Sequence, residues 1–265
     1  MNFKLALLSR STIVTSLLLL PNLLLPSAAS ALSVSNELAN EQVSSSVKEI
    51  HQLIPAFEAK YKISRGKKDL GTGQRKLKYL DNHSAEFSYD TDMKWFILSD
   101  KRQELSKVKL EQQRVIPLEY SFQRSGTGPN KYYHWLFAQD QGVVKNQLKN
   151  EQLTLDYSQA IQDPLSYHLQ QRVNLLTQPT STEFSYTTFS GKGNIKERSY
   201  QFDLEETITL PYGEIKAVRY KREVKRKRKV TYVWFAPELD YMLVKIQQIK
   251  NKDEEFKAEL IEFTQ

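Results

Sequence analysis

The sequence predicts a mainly β protein: one large curved antiparallel sheet or partly open barrel with one or two packed helices. Three observations lead there. Aromatic and β-branched residues alternate with polar ones in short runs about every dozen residues, the period of two that half-buried strands require. Gly, Pro, Asn or Asp bound these runs, with no regular helical crossovers between them, so meanders are expected and not a parallel α/β sheet. Only two segments carry apolar residues at helical spacing.

At the N-terminus, Lys4 and Arg10 precede an apolar run of Ile13, Val14 and Leu17 to Leu20, followed by Pro26-Ser27-Ala28-Ala29-Ser30-Ala31. Positive end, apolar middle and small-residue cleavage site are the order of a secretory signal peptide. Ala29 and Ala31 suit the peptidase, so residues 1–31 are assigned as a signal peptide cut after Ala31. Pro21, Asn22 and Pro26 leave the run well short of the roughly 20 residues of a spanning helix. No cysteine follows to carry a lipid. A soluble periplasmic protein with no permanent membrane span after cleavage is therefore expected.

Residues 32–54 form an N-terminal helical segment, in which Leu38, Val43, Val47, Ile50 and Ile54 recur among polar neighbours up to Pro55. Residues 55–265 are long enough for a single β-rich domain. Strands are expected around Phe57 to Ile63, Phe87 and Tyr89, Trp95 and Ile97, Tyr120 and Phe122, and Tyr133 to Phe137. Further strands follow at Phe184 and Tyr186, at Tyr200 and Phe202, and at Ile208 and Leu210 before the Pro211-Tyr212-Gly213 turn. The last four run over Ile215 to Val224, Val230 to Phe235, Met242 to Ile249, and Phe256 to Phe263. Between these groups, Asp163 before Pro164 caps a helix whose stripe is Leu165, Leu169, Val173 and Leu176.

Composition removes several chemistries. With no cysteine there is no disulfide, thiol catalyst or thiolate metal site. His51, His83, His134 and His168 stand singly, without the spacing of a zinc motif. No Gly-x-Ser-x-Gly elbow occurs, and Ser125 and Ser190 before glycines read as turn residues. Glu205 and Glu206 face opposite ways on a strand, and Asp253-Glu254-Glu255 reads as a hairpin tip. Gly71-Thr72-Gly73 and Gly191-Lys192-Gly193 lack a third glycine and read as turns. No catalytic residue, metal or cofactor is assigned.

Two patterns remain. Tyr133, Trp135 and Phe137 share one strand face, and Tyr232 and Trp234 another; if these faces meet, they form either a packed core or an apolar pocket. Lys225, Arg226, Lys227, Arg228 and Lys229 lie between two strands, either as a solvated hairpin tip or as an anion-binding patch. The net charge of +7 suits the anionic lipids and glycans of an envelope as well as an ordinary solvated surface. Export disfavours nucleic acid as a partner.

Several landmarks together resemble an exported bacterial family, domain-of-unknown-function family 3108. They are Phe57-Glu58-Ala59-Lys60-Tyr61, Val115-Ile116-Pro117-Leu118-Glu119-Tyr120 and Asp163-Pro164-Leu165-Ser166-Tyr167, then Leu210 to Ala217, and Val233-Trp234-Phe235-Ala236-Pro237 before Leu243 to Ile246. Ala236 replaces the family's usual Ser or Asp, and Leu243 its later proline. The resemblance implies a periplasmic β-rich domain with no activity to inherit. The functional expectation is a non-catalytic periplasmic protein binding a lipid or lipid-linked glycan in a curved sheet. The alternative is an envelope structural or interaction protein with a solid core and no small ligand, binding an envelope protein or polysaccharide through its outer surface.

Overall fold

The computed structural model describes residues 48–265; the signal peptide expected at 1–31 and residues 32–47 of the expected helical segment lie outside them. The first half comprises α1 (Ile50–Leu53), β1 (Phe57–Arg65), β2 (Lys68–Asp81), β3 (Ser84–Trp95), β4 (Leu98–Glu111), β5 (Arg114–Gly126), β6 (Lys131–Ala138), β7 (Val143–Asn146) and β8 (Glu151–Thr154). The second half comprises β9 (Ile161–Gln162), α2 (Ser166–Thr177), β10 (Glu183–Phe189), β11 (Ile195–Leu210), β12 (Gly213–Val224), β13 (Lys229–Ala236), β14 (Met242–Lys250) and β15 (Asp253–Thr264).

All fifteen strands share one sheet in the order β8-β7-β6-β5-β4-β3-β2-β1-β15-β14-β13-β12-β11-β10-β9. It is two meanders joined where β1 pairs with β15, and only the short β9–β10 pair is parallel. Extra residues interrupt the register at Lys60/Tyr61, Ile63/Ser64, Lys107/Val108, Phe202/Leu204 and Trp234/Phe235. Such bulges bend a strand and sharpen its twist, so strands this long curl and do not lie flat. The curl brings the sheet's two ends together through side chains. Trp135 Nε1 donates to the Gly191 carbonyl at 2.9 Å, and Gln162 Nε2 donates to the Val115 carbonyl at 2.7 Å. No ladder joins β8 to β9, so the architecture is the open, barrel-like sheet anticipated from the alternation.

The helices fill one end of the curve. Leu165 just before α2 and Leu169 and Val173 within it, with Ile50 and Ile54, pack among Phe57, Ala59, Leu77, Phe87, Val108 and Leu110, each large apolar side chain contributing roughly 1.5–3 kcal/mol on burial. Asp163 starts α2: one carboxylate oxygen accepts the amides of Leu165 and Ser166 at 2.7 Å each, and the other accepts the Ser106 hydroxyl. Leu175, not Leu176, takes the fully buried position, because α2 also faces a second cluster of Phe184, Tyr186, Tyr200 and Tyr220. α1 is a single turn whose N-terminal residues Glu49 and Gln52 cap each other. Lys48 and Glu49 before it are non-helical, so no continuous helix enters it.

Several sequence expectations change. Trp95 and Ile97 do not share a strand: Trp95 ends β3, and Ile97 lies with Phe96 in the turn to β4, where Phe96 has φ +55°. An apolar turn imitates strand alternation because it lacks the usual Gly or Asn. Gly71 to Gly73 sit inside β2 and form no turn. A Cβ on Gly71 would meet the Asp92 carbonyl oxygen at 2.0 Å, so this glycine lets two backbones approach. Asp253 to Glu255 open β15, the tip falling instead at Asn251 and Lys252, both at positive φ. The runs at Tyr200 and Ile208 are one strand, β11, divided by its bulge.

Candidate functional site

The concave face is layered from the helices towards the hairpin tips. Cross-strand register sets Leu77, Phe87, Ser106, Tyr120 and Trp135 in one row. The next row is Arg75, Tyr89, Glu104, Phe122 and Tyr133, and the one beyond is Gly73, Thr91, Arg102 and Arg124. The interior thus passes from apolar to charged as it opens. On the far wall Arg198 of β11 pairs with Tyr186 of β10.

Arg75 is 7% exposed, its guanidinium carbon 5.0 Å from the Tyr89 ring and 5.9 Å from that of Tyr61. Arg198 lies 4.7 Å over Tyr167, and its Nε donates to Thr188 Oγ1 at 3.1 Å. Among the described residues neither guanidinium has a carboxylate within ion-pair distance. Glu104, the acid of the same layer, accepts from the Tyr120 hydroxyl at 2.8 Å. Burial, reinforced by the negative charge of Asp163, raises its carboxyl above the usual range, and the Tyr120 hydrogen bond and then Arg102 and Arg75 only partly offset this. Desolvation, then the positive charges of Arg75 and Arg198, hold His168 well below its ordinary pKa, so its ring is neutral at pH 7. A buried cation without a counterion is costly, and the mouth of the curve is accordingly suited to an anionic group.

The residues singled out in the sequence fall into separate places. Trp135 and Phe137 pack edge-on against Phe189, with ring centres 4.9 and 5.7 Å apart. The turn between β10 and β11 covers Tyr133, since a Cβ on Gly191 would lie 2.7 Å from its ring. Trp234 lies on the face of β13 opposite Val233 and Phe235; its Nε1 donates to Glu206 at 2.8 Å, between Arg219 at 5.5 Å and Lys245 at 5.1 Å. Tyr232 neighbours it at 6.0 Å. The two aromatic faces belong to strands far apart in the sheet order and form no shared wall of stacked rings. Lys225 to Arg228 form the exposed turn between β12 and β13, and Lys229 begins β13 within 3.6 Å of Glu255. Replacing Arg226 to Lys229 by serines should lower the melting temperature by no more than about 4 °C; a larger fall in a thermal scan would give the run a structural role.

Sequence reasoning missed Arg75 and Arg198. Each stands in a polar-looking strand, and only the register reveals that it points inward. At the rim a further pocket of about 240 Å³ is lined by Leu70, Met93, Trp95, Leu98 and Arg124. No group of three His, Cys, Asp or Glu that could hold a metal exists among the described residues, and no helix there is long and apolar enough to cross a membrane.

The family described as "Protein of unknown function (DUF3108)" matches residues 83–261. The chain belongs to this family. No curated protein matches this DUF3108 chain. Its fold is similar to that of a β-barrel-like protein of domain-of-unknown-function family DUF1849 from Brucella abortus. That likeness has a TM-score of 0.51 at 9% identity over 79% of this chain and 97% of the other. A DUF1089 family protein from Pseudomonas aeruginosa is similar with a TM-score of 0.34 at 10% identity, covering 65% and 87% of the two chains. The DUF3108 domain therefore shares a barrel-like fold with the Brucella protein.

Proposed function

We propose that this chain is a non-catalytic protein of the bacterial envelope, exported to the periplasm and cut after Ala31, that binds an anionic amphiphile at the open end of its curved sheet. The carrying observation is the pair Arg75 and Arg198, which face one interior without a carboxylate partner among the described residues. A ligand carboxylate or phosphate would supply that counterion, and guanidinium forks suit both groups. The apolar pocket at Leu70, Met93, Trp95 and Leu98 lies outward of this layer, so a hydrocarbon tail would run towards the rim with the acid inward. Close packing of Trp135 and Phe137 on Phe189 supports a ligand at the mouth and not in the aromatic layer. The lipids and lipid-linked glycans of the envelope have this chemistry.

Titration of the purified protein with a fluorescent long-chain fatty acid tests the reading. Saturable one-to-one binding is expected, and Arg75→Met should weaken it at least about tenfold, the worth of a charged hydrogen bond. Exchange of an unpaired buried charge for an apolar side chain of similar length should leave folding intact, which near-ultraviolet circular dichroism checks. Absence of binding, or equal affinity in Arg75→Met, would sink the proposal and return the weight to a solid-cored interaction protein.

A further inference from the structure

The turn between β3 and β4 breaks the rules for a solvent-exposed hairpin. Its tip is Phe96-Ile97, 88% and 94% exposed, flanked by Trp95 at 41% and Leu98 at 46%. Tight hairpin turns favour Asn and Gly, and a bulky residue at positive φ is uncommon, yet Phe96 holds φ +55°. Neither backbone preference nor packing among the described residues accounts for two apolar residues left almost fully exposed at the tip with two more part-exposed beside them.

Their surroundings are cationic. Lys68 Nζ lies 3.6 Å from the Phe96 ring centre and 5.1 Å from that of Trp95, and the Arg65 guanidinium is 5.8 Å from Trp95. Acids nearby are engaged within the chain: Asp69 pairs with Lys62, Asp92 with Lys101, and Asp100 with Arg102 and Arg124, while Glu254 accepts the Gly66 amide and Gln247 Nε2. Lys67, Lys68 and Lys94 have no acidic partner among the described residues.

Antiparallel connectivity extends the pattern round the rim. The turns at 66–67, 96–97, 127–130, 147–150, 190–194, 225–228 and 251–252 all lie at one end of the strands. They contain Lys67, Lys149, Lys192, Lys225, Arg226, Lys227, Arg228 and Lys252 and not one Asp or Glu. The turns at the other end, at 82–83, 112–113, 139–142, 211–212 and 237–241, contain Asp140, Glu238 and Asp240 and no Lys or Arg.

We propose that the rim bearing the Phe96–Ile97 tip docks on an anionic lipid bilayer, Trp95 to Leu98 entering the headgroup region while the basic turns rest on lipid phosphates. Charge complementarity selects this occupant, because an apolar tip ringed by cations is what an interfacial anchor on anionic lipid requires. Such docking would also face the open mouth of the sheet towards the membrane, although it stands whether or not the mouth holds a ligand.

Flotation of the protein, as its host matures it, with vesicles of phosphatidylcholine alone or with phosphatidylglycerol is the test. Binding to the phosphatidylglycerol vesicles is expected, with loss at high salt and a blue shift of tryptophan fluorescence. Phe96→Asp with Ile97→Asp should reduce binding at least about tenfold, and serines at Lys225 to Arg228 should reduce it less. Both sites are exposed, so unchanged circular dichroism is expected throughout. Failure to bind anionic vesicles, or undiminished binding by the tip variant, overturns the proposal. So does a concentration-dependent dimer that the tip variant abolishes, since the tip would then contact a second copy. Arg75→Met should keep vesicle binding, which separates this proposal from ligand binding in the mouth.

Discussion

Trp135→Ala should destabilise the protein by about 4 kcal/mol, the largest single effect expected in the fold. The residue is 4% exposed and stands where the two ends of the sheet meet without a ladder. Its ring fills the space against Phe189, and its Nε1 holds the Gly191 carbonyl. Truncation leaves a cavity and removes one of the few ties across the seam. Trp135→Phe keeps part of the packing and loses the hydrogen bond, so its cost should be nearer 1 to 2 kcal/mol. Urea denaturation of both variants checks the order; a loss below about 1.5 kcal/mol for the alanine variant would show that the seam is held elsewhere.

Asp163→Ala comes second, at about 3 kcal/mol. It strips the acceptor from the buried amides of Leu165 and Ser166 and from the Ser106 hydroxyl, and each buried donor left unpaired is costly. Asp163→Asn keeps an oxygen for the amides and separates geometry from charge. Burial pushes the Asp163 carboxyl from 3.8 up to about 6, although Ser106 and the two amides pull it down. Between those values the folded chain keeps a proton that the unfolded chain has released, so this residue's contribution to stability falls as pH rises through the window. The asparagine variant has no such loss. Its stability relative to the natural chain should climb by about 2 to 3 kcal/mol between pH 4 and pH 6.5, and a pH-independent difference would mean that the carboxyl titrates normally.

The sequence was most readable where alternation was strong. β1, β6, β10 and β12 to β15 follow directly from aromatic and β-branched periodicity, and α2 from Asp163-Pro164 and its stripe. β2 and β4 were hidden because their outward positions carry Lys, Arg, Asp and Glu in long runs while their inward ones include Arg75, Glu104 and Ser106, which do not look like core. The same polarity hid the mouth: a charged residue on a strand reads as solvent-facing until its partners in register are known. Tyr133 and Trp234 show the converse. Their one-dimensional pattern is alike, yet Tyr133 shares the inward row of Tyr89 and Glu104, whereas β13 is apolar on both faces and Val233 and Phe235 take the one that packs with Tyr167 and Leu175, leaving Trp234 on the other.

The ladder between β1 and β15 joins residues as distant as Glu58 and Thr264, whereas every other antiparallel ladder among the described residues links consecutive strands. Each meander can therefore grow strand by strand as the chain emerges, but β1 and β14 stay bare edges until the final strand arrives. Sequence-distant pairing is the slow, aggregation-exposed step of folding. Joining the chain's ends and opening it between β8 and β9 would make strand order and sequence order identical. The slowest loop closure would then vanish, leaving the folded sheet the same.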